Sequence, residues 1–165
     1  MIELNNLTRE FDGLKAVNRV TFTVPGGQIC GYLGPNGAGK TTTVKMLTGM
    51  LEPSSGTGTV AGFDIRDQEL EVKRRIGYVP ESGALYQSLT PAEYLQFSGR
   101  LHNMRDTAIN QRIDKFLDFF GIADQKHKRM NSFSKGMKQK VVISSALLHN
   151  PEVIFLDEPL NGLDA

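Results

Sequence analysis

The sequence predicts an α/β fold in three parts: an antiparallel β subdomain, a core of buried strands and helices, and a helical insert within that core. Three observations predict it. Residues 20–24 alternate apolar and polar side chains, as in a strand with one wet face. Three short apolar runs, Ile29-Cys30-Gly31-Tyr32-Leu33, Ile76-Gly77-Tyr78-Val79 and Val153-Ile154-Phe155-Leu156, read as buried strands. Residues 90–134 carry helical signals only. The expected divisions are residues 1–89 (β subdomain and loop-bearing core), 90–134 (helical subdomain) and 135–165 (return to the core).

Each element has its own signal. Ile2, Leu4 and Leu7 hint at alternation in an opening strand, and Phe11-Asp12-Gly13 forms a turn into the second. Pro25-Gly26-Gly27 leads into the run at 29–33, where Cys30 is expected to be an inert buried thiol. A helix is expected over 42–51, with Val44, Met46, Leu47 and Leu51 on its buried side. A short strand over 58–61, a turn at Gly62, a polar helix over 67–75 and the strand at 76–79 follow. Thr90-Pro91-Ala92-Glu93 is a capping box with proline at the first helical position. Asp106 is expected to cap the next helix, Gly121 to end it, and Ser134 to cap a third that Asn150-Pro151 stops. The run at 153–156 reads as a strand covered on both faces.

Composition narrows the function. A net charge of +1 with 22% charged residues gives no global attraction to nucleic acid or anionic lipid. The single cysteine excludes an intramolecular disulfide and suits a reducing compartment. No apolar run has membrane-spanning length, and the first residues have no signal-peptide pattern, so a cytoplasmic protein is expected. The basic run at 126–129 reads as a solvated face.

The chemistry starts at Gly34-Pro35-Asn36-Gly37-Ala38-Gly39-Lys40-Thr41, between the strand expected at 29–33 and the first long helix. This has the G-x-x-x-x-G-K-[ST] form of a phosphate-binding P-loop. Its glycines let backbone N–H groups approach an anion, and the following helix adds its positive end. Lys40 supplies charge for the β- and γ-phosphates, the Thr41 hydroxyl is placed for Mg²⁺, and Thr42 completes the candidate nucleotide contacts. Asp157-Glu158 ends an apolar strand at the edge where ligands sit in open parallel sheets. Asp157 suits Mg²⁺, directly or through water, and Glu158 is a candidate base for a water attacking the γ-phosphate. Lys135, Lys138 and Lys140 crowd the first turns of the Ser134 helix against its dipole. They form either a solvated basic start or one that faces a phosphate.

These motifs, with Asn161-Gly162-Leu163-Asp164, occur in this order and at this spacing, and the whole chain resembles the nucleotide-binding domain of ATP-binding cassette (ABC) transporters. The resemblance implies a P-loop NTPase (RecA-like) core. It implies that Phe11 stacks on adenine, and that Ser134 and Gly136 belong to a signature loop touching the γ-phosphate held by a second subunit. Residues 161–164 match the segment linking the two sites, and Pro80-Glu81 falls where the family usually has a glutamine sensing Mg²⁺ and the transmembrane partner. The implied ligands are ATP and Mg²⁺. The implied partners are a second nucleotide-binding domain and an integral membrane permease, with no nucleic acid, at the inner face of the cell membrane.

Phe133-Ser134-Lys135-Gly136-Met137 departs from the usual L-S-G-G-Q, and Glu81 replaces the glutamine; both are similar to the branch serving ABC-2-type exporters. Glu81 can still ligate Mg²⁺, with an added negative charge near the γ-phosphate. The family continues past the Asp164 segment with further strands, helices and a histidine on the γ-phosphate. None of His102, His127 or His149 follows that segment, and each is expected at a surface or helix end. The leading expectation is therefore an exporter ATPase. The alternatives are a fragment that binds nucleotide without turnover, or a non-transport ABC ATPase, the latter disfavoured by the lack of room for a long coil and by the single cysteine.

Overall fold

The computed structural model describes residues 1–81 and 85–157. It consists of two compact units, Met1–Ile76 and the chain from Gly77 onward.

In the first unit, strands Ile2–Phe11 (β1) and Leu14–Val24 (β2) form an antiparallel hairpin. Its turn residues, Asp12 and Gly13, have φ of 46° and 81°, the combination a two-residue type I′ turn needs. Leu4 and Leu7 are both buried although three residues apart. A register shift between them, with Asn6 at φ 50°, restores the inward face. The Thr21 hydroxyl accepts the displaced Asn6 N–H at 2.8 Å. Strands Ser55–Val60 (β3) and Phe63–Asp64 (β4) complete a sheet of order β2-β1-β3-β4, every neighbour antiparallel. Helix Lys40–Leu47 (α1) buries Thr43, Met46 and Leu47, and helix Glu69–Arg75 (α2) buries Val72.

Three expectations for this unit are corrected. Residues 29–33 join neither sheet, and Ile29 and Leu33 are 104% and 91% exposed. An apolar run becomes a strand only where a neighbour takes up its backbone N–H and C=O groups. Cys30 is accordingly exposed, not buried. Helix α1 starts at Lys40 and stops at Leu47, short of the expected 51. The Thr48 hydroxyl donates back to the Val44 carbonyl at 2.9 Å, and Gly49 turns to φ 67°.

Strand Ile76–Val79 (β5), which begins at the last residue of the first unit, pairs with Val153–Leu156 (β6), and the second unit carries, among the described residues, the α-helices Pro91–Leu101 (α3), Asp106–Phe119 (α4) and Lys135–Leu147 (α5). The capping box forms: Thr90 Oγ1 accepts the Glu93 N–H at 3.2 Å, and the Glu93 carboxylate accepts the Thr90 N–H at 2.8 Å. Those bonds hold the Glu93 carboxyl below its usual range. Leu95, Ile109, Ile113, Leu117, Met130 and Val141 form the inner core of the helices. Burying each such side chain favours folding by about 1.5–3 kcal/mol.

Two expectations here are corrected. Asp106 is the first residue of α4, and its N-cap, Arg105, makes no side-chain capping bond. The Asp106 carboxylate instead accepts from Arg100 Nε and Nη2 at 3.1 and 3.2 Å, a forked pair that competes with capping. Strand β6 is bare on one side: Phe155 is buried, but Ile154 and Leu156 are 45% and 54% exposed. A strand is covered on both faces only when other elements lie over both.

His102, at the C-cap of α3, stacks on His149 with ring centroids 3.6 Å apart and planes 7° apart. Burial pushes the His102 pKa below its ordinary value of 6.5. Protonation therefore favours the unfolded chain. Its contribution to stability is full above pH 6.5 and is lost as pH falls through the lowered folded value. Melting temperature is expected to drop between pH 7 and 5, and His102→Asn to flatten that slope; an unchanged slope would contradict the assignment.

Candidate functional site

The phosphate loop is built around one backbone contact. Gly39 sits at φ 82°, the left-handed region, as the N-cap of α1. A Cβ there would lie 2.2 Å from the Ala16 carbonyl oxygen of β2. Only glycine lets the loop rest on the hairpin this closely. The next turn is tied down as well: the Thr43 N–H and hydroxyl both donate to the Gly39 carbonyl, at 2.8 and 3.0 Å. The Tyr32 hydroxyl lies 3.4 Å from the Thr43 hydroxyl, and its ring packs against Phe22 of β2 at 5.7 Å. Residues 29–33 therefore still lead into the loop, anchored by Tyr32 although they form no strand.

Lys40 folds back over the loop. Its Nζ donates to the Gly34 and Pro35 carbonyls at 2.8 and 3.0 Å. The ammonium is thus held at the mouth of the loop formed by Gly34, Pro35, Asn36, Gly37, Ala38 and Gly39, with Thr41 and Thr42 in the first turn behind it. Helix α1 has no side-chain cap and no acidic residue in its first turn. Its first N–H groups are those that an α-helix leaves without internal partners. Amide donors, a dipole end and a cation around a glycine loop fit a polyphosphate.

Phe11 ends β1 and is 41% exposed. The Arg9 guanidinium lies over its ring, 4.5 Å from the centroid. Phe11 and Ala16, which Gly39 touches, belong to the same hairpin.

In the second unit, β6 delivers Asp157. Its N–H donates to the Val79 carbonyl at 2.9 Å, so Asp157 lies at the end of the β5–β6 pair, where Pro80 and Glu81 follow Val79 in the chain. The backbone bond places Asp157 beside Val79, two residues before Glu81 in the chain. Burial first, and the Asp157 charge second, hold the Tyr78 phenol above its ordinary range. Tyr78 stays a neutral hydroxyl beside that acid, a neighbour the sequence did not single out. Oxygen donors of this kind suit Mg²⁺.

Ser134 caps α5 as expected, its Oγ accepting the Met137 N–H at 3.2 Å, and Gly136 sits in the first turn of that helix. Lys138 Nζ donates to Gln87 Oε1 at 3.2 Å. This lysine is tied to the loop after Glu81 and is not freely solvated. Glu158 and residues 161–164 lie outside the described residues. Among the described residues no helix is long and apolar enough to cross a membrane.

The glycine-rich loop and the α/β fold are compatible with a phosphate-binding domain, and comparison with known proteins gives the family. The family model "ABC transporter" matches residues 17–161, so the chain belongs to the ABC transporter family. It is 45% identical over 170 residues to the ABC transporter ATP-binding protein NatA of Bacillus subtilis, covering 99% of this chain and 69% of that protein. It is 36% identical to the daunorubicin/doxorubicin resistance ATP-binding protein DrrA of Streptomyces peucetius, covering 99% of this chain and 49% of that one. A solved ATP-binding subunit of an ABC transporter superimposes with a TM-score of 0.91 at 33% identity, covering 99% of this chain and 68% of that one. The chain thus spans between half and about two thirds of these proteins' length.

Proposed function

We propose that this chain is the nucleotide-binding part of an exporter's ATP-driven subunit. The seating of the phosphate loop carries the reading: Gly39 left-handed against β2, with Lys40 at the mouth and uncapped amides behind. Residues 34–42 grip the triphosphate, and Phe11 stacks on the adenine. Thr41, Asp157 and Glu81 are the residues to hold Mg²⁺, which when bound neutralises phosphate charge. Glu158 orients a water and takes its proton as oxygen bonds to the γ-phosphorus and the bond to ADP breaks. Ser134 and Gly136 complete the site of a second copy or paired subunit. A separate permease at the inner membrane face receives the motion through the helical part, residues 90–134, and the loop at Glu81. Export is supported by the resistance function in the name of DrrA and by the variant residues Glu81 and Lys135.

Titration of the chain with MgATP tests the reading, with saturable binding expected. Steady-state hydrolysis by the monomeric chain, diluted below self-association, is expected to be slow or undetectable, because a second copy or paired subunit must complete each site. Robust turnover by the monomer that Glu158→Gln abolishes would contradict the need for a partner. Absence of any MgATP binding would overturn the reading as a whole.

A further inference from the structure

We infer that Arg9 is a positioning residue for the base of the nucleotide, a role that rests on the proposed stacking of adenine on Phe11. A phenyl ring at a hairpin end has rotamers to lose before a base can stack on it, and that ordering entropy opposes binding. Arg9 removes part of this cost. It lies two residues before Phe11 on β1, so both side chains leave the same face of the strand. Its guanidinium covers one face of the ring at 4.5 Å.

The guanidinium is itself anchored. Arg9 Nη1 donates to the Glu52 carbonyl at 2.8 Å, just beyond the helix that starts in the phosphate loop. The backbone around Arg9 is pinned to the same segment. The Glu10 N–H donates to Ser54 Oγ at 3.0 Å, and the Ser54 N–H donates to the Thr8 carbonyl at 2.9 Å. The ring plane is therefore registered to the segment that follows the helix starting in the glycine-rich loop. That fixes the spacing between base platform and phosphate cradle before the ligand arrives, which is preorganisation.

The charge acts in the same direction. An aromatic face is electron-rich and attracts a cation. A guanidinium on one face draws ring density toward itself and lessens repulsion of an electron-rich purine stacked on the other. Arg9 touches the ring and not the base, so its effect should be confined to ligands that carry a base.

The test is calorimetric titration of the full chain with MgATP and, separately, with inorganic tripolyphosphate. Arg9→Met is expected to weaken MgATP binding about three- to tenfold and to leave tripolyphosphate unchanged. Arg9→Lys, which keeps a cation near the ring, is expected to recover part of the loss. Phe11→Ala is expected to lose about tenfold or more for MgATP alone, and adding Arg9→Met to it to cost nothing further. Loss in Phe11→Ala without loss in Arg9→Met would overturn the role of Arg9 and leave stacking intact. No loss in Phe11→Ala would overturn stacking and this inference with it. Equal losses for MgATP and tripolyphosphate in Arg9→Lys, which conserves charge and size, would reduce Arg9 to a fold residue and overturn the inference.

Discussion

Lys40→Ala is expected to weaken MgATP binding roughly a hundredfold while leaving the melting temperature within a few degrees. The ammonium now satisfies the Gly34 and Pro35 carbonyls at the mouth of the loop. Those carbonyls belong to an exposed segment, so water replaces the lysine on them at little cost to folding. With triphosphate present, the ammonium makes charge-assisted hydrogen bonds, each of about 1.5–3 kcal/mol. Nothing else in the loop sequence carries a formal charge. Lys40→Arg is not an equivalent replacement, because the wider planar fork does not fit a site shaped for a point charge. Unchanged affinity in Lys40→Ala would remove the loop from the binding site.

Gly39→Ala is expected to destabilise the chain by about 3 kcal/mol or more and to abolish nucleotide binding. Two costs coincide. The left-handed backbone alone costs a residue with a Cβ roughly 1–2 kcal/mol. The new methyl would also sit 2.2 Å from the Ala16 carbonyl oxygen and 3.0 Å from Val17 Cγ2. The first of these is a backbone atom within a paired strand, so the loop must lift off the hairpin. Gly37→Ala is the control. Gly37 has φ 81° but open space around the new Cβ, so only the strain of about 1–2 kcal/mol is expected there. Denaturant midpoints for the two variants separate the effects, and equal midpoints would show that the Gly39 contact has no weight.

What the sequence made legible were features decided locally. The Thr90 capping box, the Ser134 cap, the Asp12-Gly13 turn and the helix stop at Gly121 all form. Each depends on a few neighbouring residues and fixed dihedral preferences. The turn at residues 34–40 was legible for the same reason, since its glycines and the lysine that folds back on it lie within eight consecutive positions. What failed depended on distant partners. The apolar run at 29–33 has the composition of a strand, but neither sheet takes it up, and Cys30 is exposed with it. Ile154 and Leu156 read as buried from their type alone, and cover is a tertiary property. Asp106 looked like a cap because the competing Arg100 lies six positions back, beyond the reach of a capping pattern. Arg9 over Phe11 had a faint signal in their spacing of two along a strand, too common a pattern to notice without the ring contact. The pairing of Asp157 with the Val79 end of β5 spans most of the second unit, and no local pattern encodes it.

Amide hydrogen exchange, followed residue by residue with and without MgATP, tests most directly whether the backbone of residues 36–42 holds the phosphates. Strong added protection at the Gly37, Gly39, Lys40 and Thr41 amides, absent in Lys40→Ala, is the expected result. Saturating nucleotide that leaves those amides exchanging freely and protects another part of the chain would contradict it.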